Sequence, residues 1–118
     1  MKQASIRIFG IPNCDTMKKA RKWLVEHDIE HEFHDYRKAG IDEERLRDWI
    51  AVTGWEILLN RRGTTWRNVP QETKDNIDEA TAIELMLDNP SIIKRPVLTM
   101  EDRIEVGFKP ELYAGIFA

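Results

Sequence analysis

The sequence predicts an α/β fold in which two chain segments contribute strands to one sheet and a helical block separates them. Two observations predict it. Residues 5–9 and 32–36 read as strands on either side of a helical stretch, and residues 97–100 and 104–108 read as a hairpin followed by a last helix. Between these halves, about residues 38–91, the patterns are helical or loop-like. The order is therefore β-α-β, a helical block, then β-β-α, with no internal repeat, low-complexity segment or linker.

Each element has a local reason. In the first strand Ile6 and Ile8 share a face, with Phe9 following, and Gly10-Ile11-Pro12-Asn13 breaks the run. From Cys14 to about His27 the spacing becomes helical: Met17, Ala20, Trp23 and Leu24 fall near one face, and Lys18, Lys19 and Lys22 lie outside it. Asp28 closes that helix. The second strand, Glu32 to Tyr36, is carried by Phe33 and Tyr36. Asp42 is placed to cap the next helix, whose stripe is Leu46, Trp49 and Ile50 and which stops at Thr53-Gly54. Glu56 to Leu59 forms a short apolar turn, Asn60 to Thr65 a polar loop, and Pro70 to Asn76 a further turn. Asp78 caps a helix holding Ala82, Ile83, Leu85, Met86 and Leu87, which Asn89-Pro90 ends. The polar connection Glu101-Asp102-Arg103 joins the last two strands as an antiparallel hairpin, and Pro110 opens the final helix through Leu112, Tyr113 and Ile116.

The bulk numbers set the class. One domain is expected from 118 residues, and a chain that is 42% hydrophobic and 33% charged has the composition of a soluble globular protein. A net charge of −3 gives no footprint for nucleic acid, which calls for a strongly basic face. No run approaches the roughly 20 apolar residues of a membrane span, and the N-terminus lacks the apolar core of a secretion signal. With one cysteine there is no internal disulfide, so a cytoplasmic protein is expected. His27, His31 and His34 lack partners at ligand spacing, so no metal is expected. Trp23, Trp49, Trp55 and Trp66 read as packing residues.

Cys14 is the candidate for chemistry. A lone cysteine is commonly a small buried hydrophobe, but this one lies in the polar turn Pro12-Asn13-Cys14-Asp15-Thr16, which opens a helix. Unpaired N–H groups and the helix dipole favour a thiolate there. Asp15 opposes that slightly and Lys18 offsets it. Three residues on, dithiol oxidoreductases carry a second cysteine, and this chain carries Met17. The resolving thiol must then come from outside, and glutathione is the cytoplasmic supply.

Three stretches carry a wider likeness: Phe9-Gly10-Ile11-Pro12-Asn13-Cys14-Asp15-Thr16 with Lys18-Lys19-Ala20, Leu58-Leu59-Asn60-Arg61-Arg62-Gly63-Thr64-Thr65-Trp66-Arg67, and Ile93-Lys94-Arg95-Pro96-Val97-Leu98 with Val106-Gly107-Phe108. In these, over essentially its whole length, the chain resembles the ArsC/Spx family of thioredoxin-like proteins, most closely the YffB branch. The resemblance implies a thioredoxin-like, mixed four-stranded sheet with flanking helices, formed by about residues 1–37 and 92–118, and an inserted helical subdomain at about 38–91.

The resemblance also implies roles. Cys14 falls on the nucleophile of the arsenate reductases, Arg95 on an arginine that binds the substrate oxyanion, and Pro96 on the cis-proline of thioredoxin folds. A second arginine belongs in the 60–67 loop, where Arg62 fits best and Arg61 stays open. The third is Lys109 here, which keeps charge and loses the bidentate fork. Asn13 joins the residues expected at the glutathione site. Three departures turn the expectation from arsenate: Gly10 stands where those enzymes carry a histidine, Asp15 stands where they carry a small glycine, and Lys109 replaces arginine. The expected function is a glutathione-dependent thiol reductase working through a mixed disulfide on Cys14. Arg62, Arg95 and Lys109 would bind glutathione's carboxylates. Its partners are glutathione, as co-substrate with no tightly bound cofactor, and a disulfide or oxidised-thiol substrate; a monomer is favoured. Arsenate reduction and a non-catalytic, Spx-like regulator binding RNA polymerase are the alternatives.

Overall fold

The computed structural model describes residues 6–100 and 103–117. Ser5, expected to begin the first strand, and Glu101 and Asp102 of the hairpin connection lie outside the described residues. The chain divides into two compact units, one running up to Asp35 and resuming at Arg95, the other Tyr36–Lys94.

The first unit is built on a four-stranded sheet. Its strands are β1 (Arg7–Gly10), β2 (Glu32–Asp35), β3 (Val97–Met100) and β4 (Arg103–Val106), in the order β2-β1-β3-β4. β1 runs parallel to β2, with Ile8 opposite Phe33, and antiparallel to β3, with Ile8 opposite Leu98. β3 and β4 form the expected antiparallel pair. The sheet is mixed and thioredoxin-like, as the resemblance implies. β1 is central, so Ile8, Phe9 and Gly10 are buried in succession instead of alternating. Gly10 closes this strand, although the sequence reading placed it in the break.

Helix α1 (Asp15–Glu26) buries Met17, Ala20 and Leu24, the face its spacing predicts. These pack with Ile8, Leu98 and Tyr113 in one cluster, flanked by Trp23, Phe33, Phe108 and Cys14. After α1, Asp28 takes a left-handed conformation at φ 58°, which ends the helix and turns the chain toward β2. The last helix, α8 (Pro110–Ile116), starts with proline at its first position and delivers Tyr113, whose ring meets Trp23 and Phe108 edge-on at 5.6 and 4.7 Å.

The second unit is helical: α2 (Tyr36–Ala39), α3 (Glu43–Thr53), α4 (Trp55–Leu58), α5 (Thr64–Arg67), α6 (Gln71–Asp75) and α7 (Glu79–Asp88), with a 3-10 turn at Pro90–Ile92. Three expectations are corrected. Tyr36 leaves the second strand and opens α2, where its carbonyl accepts the Gly40 N–H at 2.8 Å and its ring is buried at 2% exposure. Thr64 and Thr65 leave the polar loop for α5, where Asn68 donates its N–H back to both carbonyls. Phe108 lies beyond β4, since Gly107 turns the chain at φ 88°. Asp42 stands at the N-cap of α3 without a side-chain cap bond, whereas Asp78 accepts from the Thr81 N–H at 2.9 Å and caps α7 as expected. No helix among the described residues is long and apolar enough to cross a membrane.

Burial in the first unit sets a test of packing. Leu24 is fully buried and its neighbour Val25 is 66% exposed. Leu24→Ala should cost about 2–5 kcal/mol in urea unfolding, and Val25→Ala less than about 0.5 kcal/mol.

Candidate active site at Cys14

Cys14 is the N-cap of α1. It is extended (φ −111°, ψ 127°), and its carbonyl accepts the Lys18 N–H at 3.0 Å, the first bond of the helix. The N–H groups of the first turn have no partner within the helix, so they face the cap residue's side chain. A serine or aspartate would take one; here the group is a partly exposed thiol. Its side chain makes no cap bond. A thiolate is a better acceptor than a thiol, so these N–H groups favour the charged form.

The balance on the sulfur is resolved by cause. Partial burial is the largest single influence and pushes the thiol up. Against it stand the Met17 N–H, the Arg95 side chain as hydrogen-bond donor, the Thr16 N–H and the Arg95 charge. Together these win, and Cys14 sits below the ordinary thiol range. Its thiolate fraction at neutral pH rises accordingly. Asp15 and Lys18, expected to act on the sulfur in opposite senses, are not among the groups that shift it.

Arg95 is half-buried at the entrance to β3, and its bond to Pro96 is cis. It is the Arg95 side chain that reaches the sulfur. Pro96 is buried, and its carbonyl accepts the Gly107 N–H at 2.8 Å, which ties the strand entrance to the end of β4. Asn13 is exposed in the turn before Cys14, and Lys109 is exposed at the N-cap of α8. Lys109 is not among the groups acting on Cys14. The described residues contain no group of three His, Cys, Asp or Glu that could hold a metal ion. His27 instead stacks on Trp23 at 3.8 Å and donates from Nδ1 to its carbonyl, while His31 donates to the Ile29 carbonyl.

Arg62 belongs to the second unit. There, Leu59 and Ile93 form an isolated antiparallel bridge, the Asn60 N–H donates to Ile92 at 2.8 Å, and the Lys94 N–H donates to Leu58 at 2.7 Å. This pins the arginine loop beside Lys94. Glu56, Leu59, Arg61, Arg62 and Lys94 line an open pocket of about 220 Å³. The Arg61 guanidinium also lies over the rings of Trp55 and Trp66, at 6.0 and 5.7 Å, within reach of a cation–π attraction. Arg62 has no such ring contact among the described residues, which leaves its guanidinium the more available of the two. Lys94 was missed by the sequence reading, although it stands beside Arg95 in a quoted stretch; the bridge that brings it to the loop is a tertiary feature.

The model of the ArsC family matches residues 9–116. A solved YFFB protein superposes with a TM-score of 0.92 at 54% identity, covering 97% of this chain and 100% of that one. An uncharacterized protein of Haemophilus influenzae is 43% identical over 113 residues, 96% of this chain and 99% of its own length. The global transcriptional regulator Spx of Streptococcus agalactiae is 27% identical over 108 residues, 90% of this chain and 78% of the regulator.

The Arg95 contact makes a direct prediction. Its positive charge and its hydrogen bond both favour the thiolate, so removing them must raise the thiol pKa. The rate of alkylation by iodoacetamide should rise with pH to a midpoint below the ordinary thiol range in the parent. In Arg95→Met that midpoint should move up by about one unit, the scale of one lost charge-assisted bond. An unmoved midpoint would remove Arg95 from the site.

Proposed function

The chain belongs to the ArsC family, in its YffB branch, and we propose that it works there as a glutathione-dependent thiol reductase. The observation that carries this reading is a lone thiol at the N-cap of α1 with the Arg95 side chain at its sulfur, in a chain with one cysteine. A thiolate is the attacking species in disulfide exchange. A monothiol can begin the exchange but cannot resolve its own product, so an external thiol is needed.

The steps balance without a further oxidant or reductant. The Cys14 thiolate attacks one sulfur of a disulfide substrate; the old S–S bond breaks, and the released thiolate takes a proton from solvent. Cys14 is left in a mixed disulfide. When Cys14 carries a glutathionyl group, a glutathione thiolate attacks the glutathionyl sulfur, the mixed S–S bond breaks, and oxidised glutathione and the Cys14 thiolate are released. When Cys14 carries the substrate, a first glutathione attacks the Cys14 sulfur and frees the substrate thiolate, and a second removes the glutathionyl group in the same way. The N–H groups of Met17 and Thr16 and the Arg95 guanidinium stabilise the sulfur's charge before attack and again as it leaves. In this reading Arg95 and Lys109 serve glutathione's carboxylates, with Asn13 and Pro96 shaping the approach to the sulfur. The cytoplasm would supply the reductant.

Arsenate is the weaker substrate. Oxyanion coordination favours bidentate donors in fixed geometry, and position 109 offers an ammonium. The identity to Spx supports a second reading, a regulator that binds RNA polymerase, although Met17 denies this chain a two-cysteine redox switch at the helix start.

Turnover separates these readings. In an assay that couples reduction of a glutathionylated peptide to oxidised-glutathione formation, the parent should turn over and Cys14→Ser should fall to background. Full activity in Cys14→Ser would overturn the proposal. An inactive parent that retains RNA polymerase on a column would favour the regulator, and glutathione oxidation that depends on added arsenate would favour the oxyanion enzyme.

A further inference from the structure

Gly10, at the end of β1, and Met17, in the first turn of α1, meet in space. A Cβ built on Gly10 would collide with the Met17 Sδ and would lie 2.8 Å from its Cε and 3.0 Å from its Cγ. Contacts that short require something to move. Gly10 has an ordinary backbone conformation, since its φ is not among the positive glycine values. Space for the Met17 side chain therefore explains glycine here, not backbone freedom.

Met17 is fully buried, in the cluster with Ile8, Ala20 and Leu24. It is also the third residue of α1 after the cap, and its backbone N–H is one of the donors that favour the charged sulfur. One residue thus joins two jobs. Its side chain anchors the first turn of α1 against the end of β1, and its main chain serves Cys14. A first helical turn lacks internal partners for its N–H groups and frays readily, so its direction depends on such an anchor. Methionine suits the place, because an unbranched thioether can follow the bare glycine backbone closely.

We infer that Met17 is a positioning residue for Cys14: its thioether, seated where Gly10 has no Cβ, fixes the first turn of α1 with the Met17 and Thr16 N–H groups directed at the sulfur. The inference rests on the reading of Cys14 as the working thiol. A larger residue at position 10 and Met17 in its present seat exclude each other.

The test reads the thiol pKa, from the pH dependence of thiolate absorbance and of alkylation rate, so it can fail while turnover persists. Met17→Ala empties the seat and should raise the Cys14 pKa by about half a unit to one unit, the scale of weakening one donor to a charged acceptor. Met17→Leu keeps the bulk and should stay within about 0.3 units of the parent, less than that weakening. Gly10→Ala should lower the melting temperature, and the double variant with Met17→Ala should lose less than the sum of the two single losses. A parent-like pKa in Met17→Ala would overturn the inference, as would strict additivity in the double variant. Should Gly10→Ala not fold, the Met17→Ala and Met17→Leu pair decides the question alone.

Discussion

Partial burial of the Cys14 sulfur holds a proton on it, and the donors around it work the other way. The fold of the first unit can be understood as the set of constraints that make those donors win. α1 must begin at Cys14, so that the unpaired N–H groups of its first turn meet the sulfur. β3 must begin just after Arg95, so that a guanidinium from a distant part of the chain reaches the same atom. Central β1 must end at Gly10, where the bare backbone receives Met17. Each condition is met by an ordinary element of a mixed sheet with one helix packed on it. Their coincidence on one sulfur is what makes the site.

The cluster under the sheet keeps that coincidence in place. Ile8, Met17, Ala20, Leu24, Leu98 and Tyr113 are all fully buried and come from β1, α1, β3 and α8. Apolar burial of this kind is non-directional, but close packing makes it specific, since a shift of one element opens voids against the others. The Tyr113 hydroxyl is buried without a hydrogen-bond partner, and burial raises its pKa further, so it stays neutral. In the second unit the short bridge between Leu59 and Ile93 sets Arg61, Arg62 and Lys94 around one pocket, and the two tryptophans engage Arg61.

Much of this was legible in the sequence, for reasons that differ by residue. Cys14 could be placed at a helix start because period-two spacing gives way to helical spacing there, across a Gly-Ile-Pro-Asn break. Asp78 was readable as a cap because it directly precedes a strongly apolar helix, and the same logic put Asp42 at its N-cap position but could not reveal the missing cap bond. Arg95 entered through family resemblance; no local pattern says that it meets Cys14. Tyr36 was misplaced because an aromatic at a strand's end has the same local signature whether it continues the sheet or turns into a helix. Gly10 and Met17 were each noticed as departures. Their contact was beyond sequence reasoning because it depends on how the first turn of α1 lies against the end of β1.

Intact-mass analysis after incubation with oxidised glutathione tests most directly whether Cys14 is an activated monothiol. The expected result is one glutathionyl adduct per chain, located on Cys14 and formed rapidly at mildly acidic pH, where an ordinary thiol is almost wholly protonated. Added reduced glutathione should remove it. A chain that stays unmodified under these conditions would show that burial prevails at the sulfur, and that Cys14 is a packing residue.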